Sequence, residues 1–217
     1  MSDDALLKLL YLASPTLPVG AYAFSQGLEF AVESQVVATD QHAHEWIGGI
    51  LRYGLGRLDL PVMLRCYQAW AENDSSTIHY WNAYILAGRE SRELRMEDNQ
   101  LGRALQRLLL SHGVTRAVKL PEDHVTYVPL FALAGYQWGI DIGDLLRGFC
   151  WSWLDNQVSA ATKLIPLGQT SAQRLLLKLL AQVDAVCHDA KNLKDSEIGT
   201  SLPGLAIASA QHERQYP

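Results

Sequence analysis

The chain has 217 residues, of which 48% are apolar and only 19% charged, against roughly 25% charged in typical soluble domains. Such a composition can offset chain entropy by burial, which excludes intrinsic disorder for most of the chain. The 18 Lys and Arg residues against 23 Asp and Glu give a net charge of −5, which argues against nucleic acid as the main ligand. The low proportion of charged residues and the six Trp residues suggest that part of the protein surface is buried against partner proteins.

Apolar residues recur with helical spacing along almost the whole chain. Leu101, Leu105 and Leu108 fall on one face of a helix, and Arg103 and Arg107 fall on the opposite face. The same kind of spacing predicts further helices at residues 4–12, 26–36, 41–57, 61–72, 76–95, 144–161 and 170–187. The connections are short, which favours antiparallel packing. We therefore predict an all-α fold, a single compact domain of roughly eight to ten helices.

The character of the sequence changes beyond residue 188. We predict an all-α core domain over residues 1–188 and a C-terminal tail over residues 189–217. Residues 189–202 are polar and weakly periodic, and terminal segments of this kind usually fray. Leu205 and Ile207, with small neighbours, are nevertheless unusual side chains to leave in water. The tail is expected either to dock on its own domain or to become ordered on a partner.

Several features predict a cytoplasmic protein. The N-terminus is acidic at Asp3 and Asp4, where a secretory signal needs basic residues. The longest mostly apolar stretch, Val128 to Ile140, is too short to cross a bilayer. The three scattered cysteines form no Cys-x-x-Cys pair, which predicts neither a disulfide framework nor a structural zinc site. We expect reduced cysteines and no tightly bound metal.

The sequence carries no motif of a familiar catalytic centre. It contains no G-x-x-x-x-G-K-[ST], no G-x-G-x-x-G after a strand and no G-x-S-x-G. His42, His44 and Glu45 are close in sequence, but side chains at i and i+2 point to different sides of a helix. They would therefore form a poor chelate unless the turn is irregular.

Residues 88–98 form the most charged stretch of the chain. Within one helix, Arg89 and Glu93 would be four residues apart and could form an ion pair on a solvated face. The alternative is a functional group of carboxylates, which would need a pocket around it. The residue pattern leaves both interpretations open.

Residues 14–29, SPTLPVGAYAFSQGLE, form an unusual connection between two predicted helices. Two prolines and a glycine make it rigid and extended. Tyr22 and Phe24 alternate as in an extended segment, and Ser25 is a suitable N-cap for the helix that follows. Loops of this kind often carry function, but a buried structural corner is an equal alternative.

Three other segments of the sequence are also distinctive: GRESRELRMEDNQLGRAL at 88–105, ATKLIPLGQT at 161–170 and PGLAIASAQHERQYP at 203–217. Together, and in this order over nearly the whole chain, the four segments resemble the UreF family of urease accessory proteins, which are nickel-insertion chaperones of urease. Members of that family usually continue for several residues past the Gln-Tyr pair, whereas this chain stops at Pro217.

The resemblance implies an all-α scaffold that catalyses no reaction itself. It implies a homodimer that joins the GTPase UreG and the protein UreD, also called UreH, into a complex that inserts Ni²⁺ into apo-urease. It implies no intrinsic cofactor, since Ni²⁺ would pass through the complex and UreG would bind GTP and Mg²⁺. No role for nucleic acid or membrane is implied. The alternative from another class is an all-α small-molecule-binding protein or enzyme with an internal pocket.

The resemblance also suggests residues for a nickel passage. Glu29 falls in the N-terminal signature, and Glu90 and Glu93 match the central charged motif. A route lined by carboxylates would attract a divalent ion without binding it strongly. Ordinary surface carboxylates or salt bridges remain the alternative for each of the three.

Partner contacts are expected in two further regions. Lys163 matches a lysine that the family ties to control of the GTPase, and Arg147 with Trp151 at i, i+4 could form an interface anchor. The alternative places Trp151 in the core and Arg147 in solvent. The candidates for the UreD contact are the tail residues Leu205, Ile207, His212 and Glu213.

Overall fold

The structure is a computed structural model that describes residues 2–21 and 24–215, with side chains as far as Glu213. Tyr22, predicted to alternate with Phe24, lies outside the described residues. Within these residues the chain is all-α, as predicted. The helices are α1 (Asp3–Leu12), α2 (Leu28–Glu33), α3 (Asp40–Ile50), α4 (Leu60–Glu72), α5 (Ser75–Ala87), α6 (Arg92–Ser111), α7 (Tyr127–Gln137), α8 (Ile142–Leu164), α9 (Gln169–Leu180), α10 (Val183–Asn192) and α11 (Pro203–Gln215). Short 3₁₀ turns lie at Thr115–Lys119, Glu122–His124 and Asp195–Glu197.

A π-helical segment, Leu51–Asp59, joins α3 to α4 without a break. The Leu60 N–H bonds to the Leu55 carbonyl, an i→i−5 bond that widens the helix just before Pro61. This wider turn lets the helix continue through a residue that has no backbone N–H. The two helices predicted at 41–57 and 61–72 therefore form one continuous helical rod. Because α3 and α4 share this rod, the eleven α-helices of the described residues form ten separate rods.

The helix predicted at 76–95 is in fact two helices. α5 ends at Ala87 and α6 begins at Arg92. Ser91 interrupts the helix because its backbone is extended and its Oγ accepts the Leu94 N–H at 3.1 Å, as an N-cap does. The predicted pair between Arg89 and Glu93 does not form, since Arg89 lies outside α6 and binds Asp residues elsewhere. The helix predicted at 170–187 is likewise divided, between α9 and α10.

The centre of the core is α7, which packs against α4 and α6. Every residue from Val128 to Gly135 is buried, as expected of a helix that is apolar all round. The indole N–H of Trp70, a fully buried residue of α4, donates to the Pro129 carbonyl at 2.8 Å. No helix among the described residues is long and apolar enough to cross a membrane.

The last helix, α11, packs against α2 and α6 of its own chain. Gly27, the N-cap of α2, has φ +76°, and a Cβ there would lie only 3.1 Å from the Ala208 Cβ of α11. Glycine suits both the left-handed backbone and this close approach. The predicted N-cap, Ser25, is wrong because the left-handed turn at Gln26 and Gly27 intervenes. That the tail is partly flexible or ordered by a partner stays a prediction.

Candidate functional site

Three helices meet around the imidazole ring of His212 on α11. Its Nδ1 lies 2.8 Å from Glu93 Oε1 on α6, and its Nε2 lies 2.9 Å from Glu29 Oε2 on α2. We call these three residues the His212 cluster. Each ring nitrogen faces a carboxylate oxygen, so the form with two N–H groups, the imidazolium, satisfies both contacts. Burial by itself lowers the pKa of His212, but the two glutamates outweigh burial and raise the pKa above its usual value.

Other polar contacts hold α11 to the start of α6. Glu213 Oε1 accepts the backbone N–H of Glu93 at 2.7 Å, in the first turn of the helix, where backbone donors have no partner within the helix. Ser209 Oγ donates to Glu93 Oε2 at 3.0 Å and lies 2.7 Å from Ser91 Oγ, the N-cap of α6. The tail residues and the central charged motif, which the sequence places in different roles, therefore form one contact.

The raised pKa of His212 makes the docking of α11 pH-dependent. A raised pKa means that its contribution to stability is complete below about pH 6.5 and is lost as the pH rises through the folded-state value. We expect amide protection of residues 203–213 to fall by about tenfold at high pH, since a hydrogen bond to a charged group contributes about 1.5–3 kcal/mol. Hydrogen exchange at pH 6 and pH 8, corrected for intrinsic rates, measures this.

His212→Gln should lower the protection of α11 at pH 6 and remove most of its pH dependence. His188→Gln is the matched control, because His188 is exposed on α10 and hydrogen-bonds to Asn192 of the same helix. Equal pH dependence in wild type and His212→Gln would contradict the role of His212.

Behind this cluster lies a cavity of about 110 Å³ that reaches the π segment and α8. Buried charges line it. Arg89 donates to Asp59 Oδ1 at 2.6 Å and to Asp98 Oδ2 at 2.8 Å, and both aspartate side chains are at most 6% exposed. We call these three residues the Arg89 triad. Burial lowers the pKa of Arg89, but Asp59 and Asp98 outweigh this and raise it above its usual value.

Glu97 lines the same cavity and is a buried acid with an unusual proton affinity. It is 5% exposed, and burial raises its pKa to about 8, although the Gln26 hydrogen bond and Arg89 lower it. Gln26 Nε2 donates to Glu97 Oε1 at 2.8 Å, and the indole N–H of Trp153 donates to Gln26 Oε1 at 2.8 Å. These two hydrogen bonds help to hold Gln26 at φ +51°, in the left-handed region that non-glycine residues rarely adopt. At neutral pH Glu97 is mostly protonated.

Glu90 belongs to the mouth of this cavity and fixes the segment before α11. Its Oε2 accepts the Leu202 N–H at 3.0 Å, and its Oε1 lies 3.3 Å from Ser201 Oγ. Leu205 lines the cavity from α11. The three glutamates predicted for one passage therefore occupy two places, with Glu29 and Glu93 in the His212 cluster and Glu90 at the cavity.

A surface groove of about 80 Å³ lies beside the His212 cluster, between the 14–29 connection and the end of α8. Its lining includes Ser25, Glu29, Asn156 and Lys163, and Lys163 is exposed. Asn156 lines both this groove and the cavity, and it donates to the Ala21 carbonyl at 2.9 Å. The structure therefore brings Lys163 near Glu29, which are distant in sequence.

Comparison with known proteins identifies the family. The UreF family profile matches residues 37–180. The urease accessory protein UreF of Teredinibacter turnerae is 50% identical over 214 residues, which is 99% of this chain and 97% of that protein. The proteins of the same name from Hahella chejuensis (45% over 216 residues) and Psychrobacter cryohalolentis (46% over 221 residues) match 100% of this chain and 97% and 94% of their own lengths. The chain belongs to the UreF family.

Several of the predicted contact residues of this UreF-family chain, among them Arg147, Trp151 and Ile207, line neither the groove nor the cavity. Arg147 Nε bonds to Asp184 Oδ1 of α10 at 2.7 Å, and its guanidinium also pairs with Asp144 at 3.3 Å. Trp151 is 37% exposed, so the alternative that placed it in the core is wrong. Ile207, at 60% exposure, is also open to solvent. Trp151 and Ile207 are therefore accessible to a binding partner, which a buried core residue would not be.

On α3, the neighbouring residues His42, His44 and Glu45 each contact an amide group of the protein. His42 Nδ1 accepts the Ala38 N–H at 3.3 Å, His44 Nε2 lies 3.2 Å from Gln182 Nε2, and Glu45 accepts from Gln41. Across the described residues, no group of three or more His, Cys, Asp or Glu side chains has the geometry of a metal site.

Of the residues that line the cavity of this UreF-family chain, Glu90 and Leu205 stand out in the sequence, but several others do not. Glu97 and Asp98 lie in the charged stretch but are not singled out, and Gln26 lies in the 14–29 connection without a role. Asp59 carried a usable signal, because it is a lone acid in the apolar run Leu58 to Met63. A lone charge in an apolar helix predicts a buried partner, but it does not say which residue that partner is.

Proposed function

We propose that this chain acts in the maturation of urease, as a scaffold without catalytic activity of its own. The support is its membership of the UreF family, with relatives named urease accessory protein at 41–50% identity. In this proposal it forms a homodimer and joins a UreG GTPase to UreD/UreH on apo-urease. The complex inserts Ni²⁺, and UreG alone binds GTP and Mg²⁺.

The observation that carries the proposed nickel passage is a series of carboxylates that runs from the surface into the cavity. It starts at Glu29, whose side chain is 45% exposed, and continues through Glu93 to Glu97 and Asp98. Glu93 is 20% exposed, and Glu97 lies close enough to feel the charges of both Glu93 and Asp98. The charged members of this series, Glu29, Glu93 and Asp98, lower the energy of a divalent cation, and Glu97 adds to them only when it loses its proton.

The contacts of these carboxylates also favour transit over storage. Glu29 and Glu93 already contact His212, Glu97 accepts a hydrogen bond from Gln26, and Asp98 pairs with Arg89. A cation would have to compete with each of these donors, so no position offers a ready and strong site. Nickel is thus a cargo in this proposal and not a resident cofactor.

Partner binding is best supported at Lys163 and at the exposed apolar side chains. Lys163 stands alone as a charged donor at the groove beside Glu29, and Ile207 and Trp151 offer apolar anchors. Arg147, which lies one helical turn before Trp151, already forms an ion pair with Asp184 and is therefore less free to bind a partner. His212, Glu213 and Leu205 face their own domain, so a contact between them and UreD would require α11 to move.

Lys163→Ala should leave the fold intact, because the side chain is exposed and makes no hydrogen bond to the residues that the structure describes. It should lower urease activation by about tenfold, which corresponds to ~1.4 kcal/mol of coupling to the partner, and it should alter GTP turnover in the complex. Urease activity in cells that express the whole urease operon measures the first effect. Lys178→Ala is the matched control, being an exposed lysine on α9 away from the groove.

The scaffold itself is tested by size-exclusion chromatography of the purified chain with a UreG GTPase and UreD/UreH. A stable ternary complex that activates apo-urease with Ni²⁺ and GTP is the expected result. Absence of any complex, together with full urease activation in cells that lack this chain, would refute the proposal.

A further inference from the structure

Two consecutive residues with left-handed backbones lie between the cavity and α11. Gln26 has φ +51° and Gly27 has φ +76°, and we call this pair the 26–27 turn. Glycine adopts such a conformation readily, but it is unfavourable for a residue that carries a side chain, such as Gln26. The turn therefore needs an interaction that holds Gln26 in place.

The side chain of Gln26 supplies this interaction. Its Oε1 accepts the indole N–H of Trp153 on α8, and its Nε2 donates to Glu97 Oε1 on α6, both at 2.8 Å. An indole N–H can only donate, so the amide oxygen of Gln26 must face Trp153 and its N–H group must face Glu97. The amide is thus fixed between two helices, and through it the 26–27 turn.

The second residue of the turn lies directly against α11. A Cβ at Gly27 would be 3.1 Å from the Ala208 Cβ and 3.2 Å from the backbone nitrogen of Ser209. Both of these α11 residues are buried, at 3% and 0% exposure. The position of the 26–27 turn therefore determines how closely α11 can pack.

α11 also covers the cavity that contains Glu97. Leu205 of α11 and Leu202, just before this helix, line the cavity together with Gln26 and Glu97. Gln26 thus connects an acid inside the cavity to the helix that covers it. The His212 cluster attaches α11 through other side chains, so the two attachments can be broken separately.

We propose that Gln26 is a positioning residue that couples Glu97 in the cavity to the docking of α11. While Glu97 accepts from Gln26, the 26–27 turn is held and α11 stays docked over the cavity. When another group takes the Glu97 oxygen, Gln26 is released, the turn leaves its left-handed conformation and α11 loosens. The use of this coupling in nickel transfer, with the cation as the group that takes Glu97, rests on the proposed function, but the coupling itself does not.

Hydrogen exchange of amides 204–213 in the purified full chain tests the coupling. It is measured at pH 6, below the folded-state pKa values of Glu97 and His212. Gln26→Ala removes both hydrogen bonds and keeps a Cβ on the left-handed backbone, so the protection of α11 should fall by about tenfold. Gln26→Gly removes the same bonds but relieves the backbone, so its loss should be smaller. Amides of α9, which packs on α3 and α8, should keep wild-type protection.

Variants of Glu97 separate the coupling from a purely structural effect. Glu97→Gln keeps an oxygen that accepts from Gln26 and should keep the protection of α11. Glu97→Met removes the acceptor and should lower this protection by about threefold. Combined with Gln26→Ala, Glu97→Met should add little, because both changes break the same link. Trp153→Phe, which removes only the indole donor, replaces Gln26→Ala in this comparison if that variant does not fold.

Four results would overturn the proposal. They are unchanged protection of α11 in Gln26→Ala, an equal loss in Gln26→Gly, additive losses from Gln26→Ala and Glu97→Met, and a loss in α9 as large as in α11. The proposed function is tested separately by urease activation in cells. A chain that shows the coupling but is not needed for urease activation would refute the function and leave this inference standing.

Discussion

Replacing Arg89 by methionine is expected to destabilise the protein by about 3–5 kcal/mol. Among the described residues, Arg89 is the only cation that pairs with the nearly buried Asp59 and Asp98. Its removal leaves both carboxylates without their charge partner. Neither carboxylate can return to water without opening the structure around it, because both side chains are at most 6% exposed. Urea unfolding followed by circular dichroism at pH 7 measures the loss.

Arg107→Met is the matched control for this experiment. Arg107 is also an arginine of the 88–111 region, but its side chain is 67% exposed and it lies 4.0 Å from Glu122. Exposed pairs of this kind contribute about 0–1 kcal/mol. A loss below about 1 kcal/mol in Arg89→Met would mean that Asp59 and Asp98 are solvated or protonated without cost.

The second large effect is expected at Glu97, where glutamine should stabilise the protein at high pH. The folded-state pKa of about 8 exceeds the unfolded value, so the native state keeps a proton that the unfolded state has lost. Stability from this group is complete below about pH 4.5 and falls as the pH rises towards 8. At about 1.4 kcal/mol per pH unit, wild type loses about 4 kcal/mol between pH 5 and 8.

Glu97→Gln stays neutral at every pH and keeps an oxygen to accept the Gln26 bond. Its stability should match wild type near pH 5 and exceed it by several kcal/mol at pH 8, as measured by urea unfolding at both pH values. Glu72→Gln, at an exposed position near the end of α4, should follow the wild-type profile. Lower stability of Glu97→Gln at pH 8 would show that the carboxylate is bound in its charged form.

The helical content and the family could be predicted from the residues alone. The spacing of Leu101, Leu105 and Leu108 reports burial on one face, and the structure places Leu101 and Leu105 in the core. Helix ends were predicted less well. Ser91 divides the segment predicted at 76–95 because its side chain caps α6, and a local competition of this kind leaves only a weak trace in the pattern.

The candidate site was predicted only in part. Glu29, Glu93, His212 and Lys163 were all named from the family resemblance, but as members of separate regions. Their assembly depends on α11 returning to α2, a contact between His212 and Glu29 that spans 183 residues. No local pattern records such a partner.

The residues of the chain alone therefore settle the all-α class, the low charge and the UreF-family membership, because helical periodicity and sequence motifs are local. The tertiary structure adds the Arg89 triad and the His212 cluster. Periodicity tells which side chains avoid water, but a buried charge takes its chemistry from neighbours that distant parts of the chain supply. For Glu97, the packing of the helices turns an ordinary carboxyl group into one that holds its proton at neutral pH.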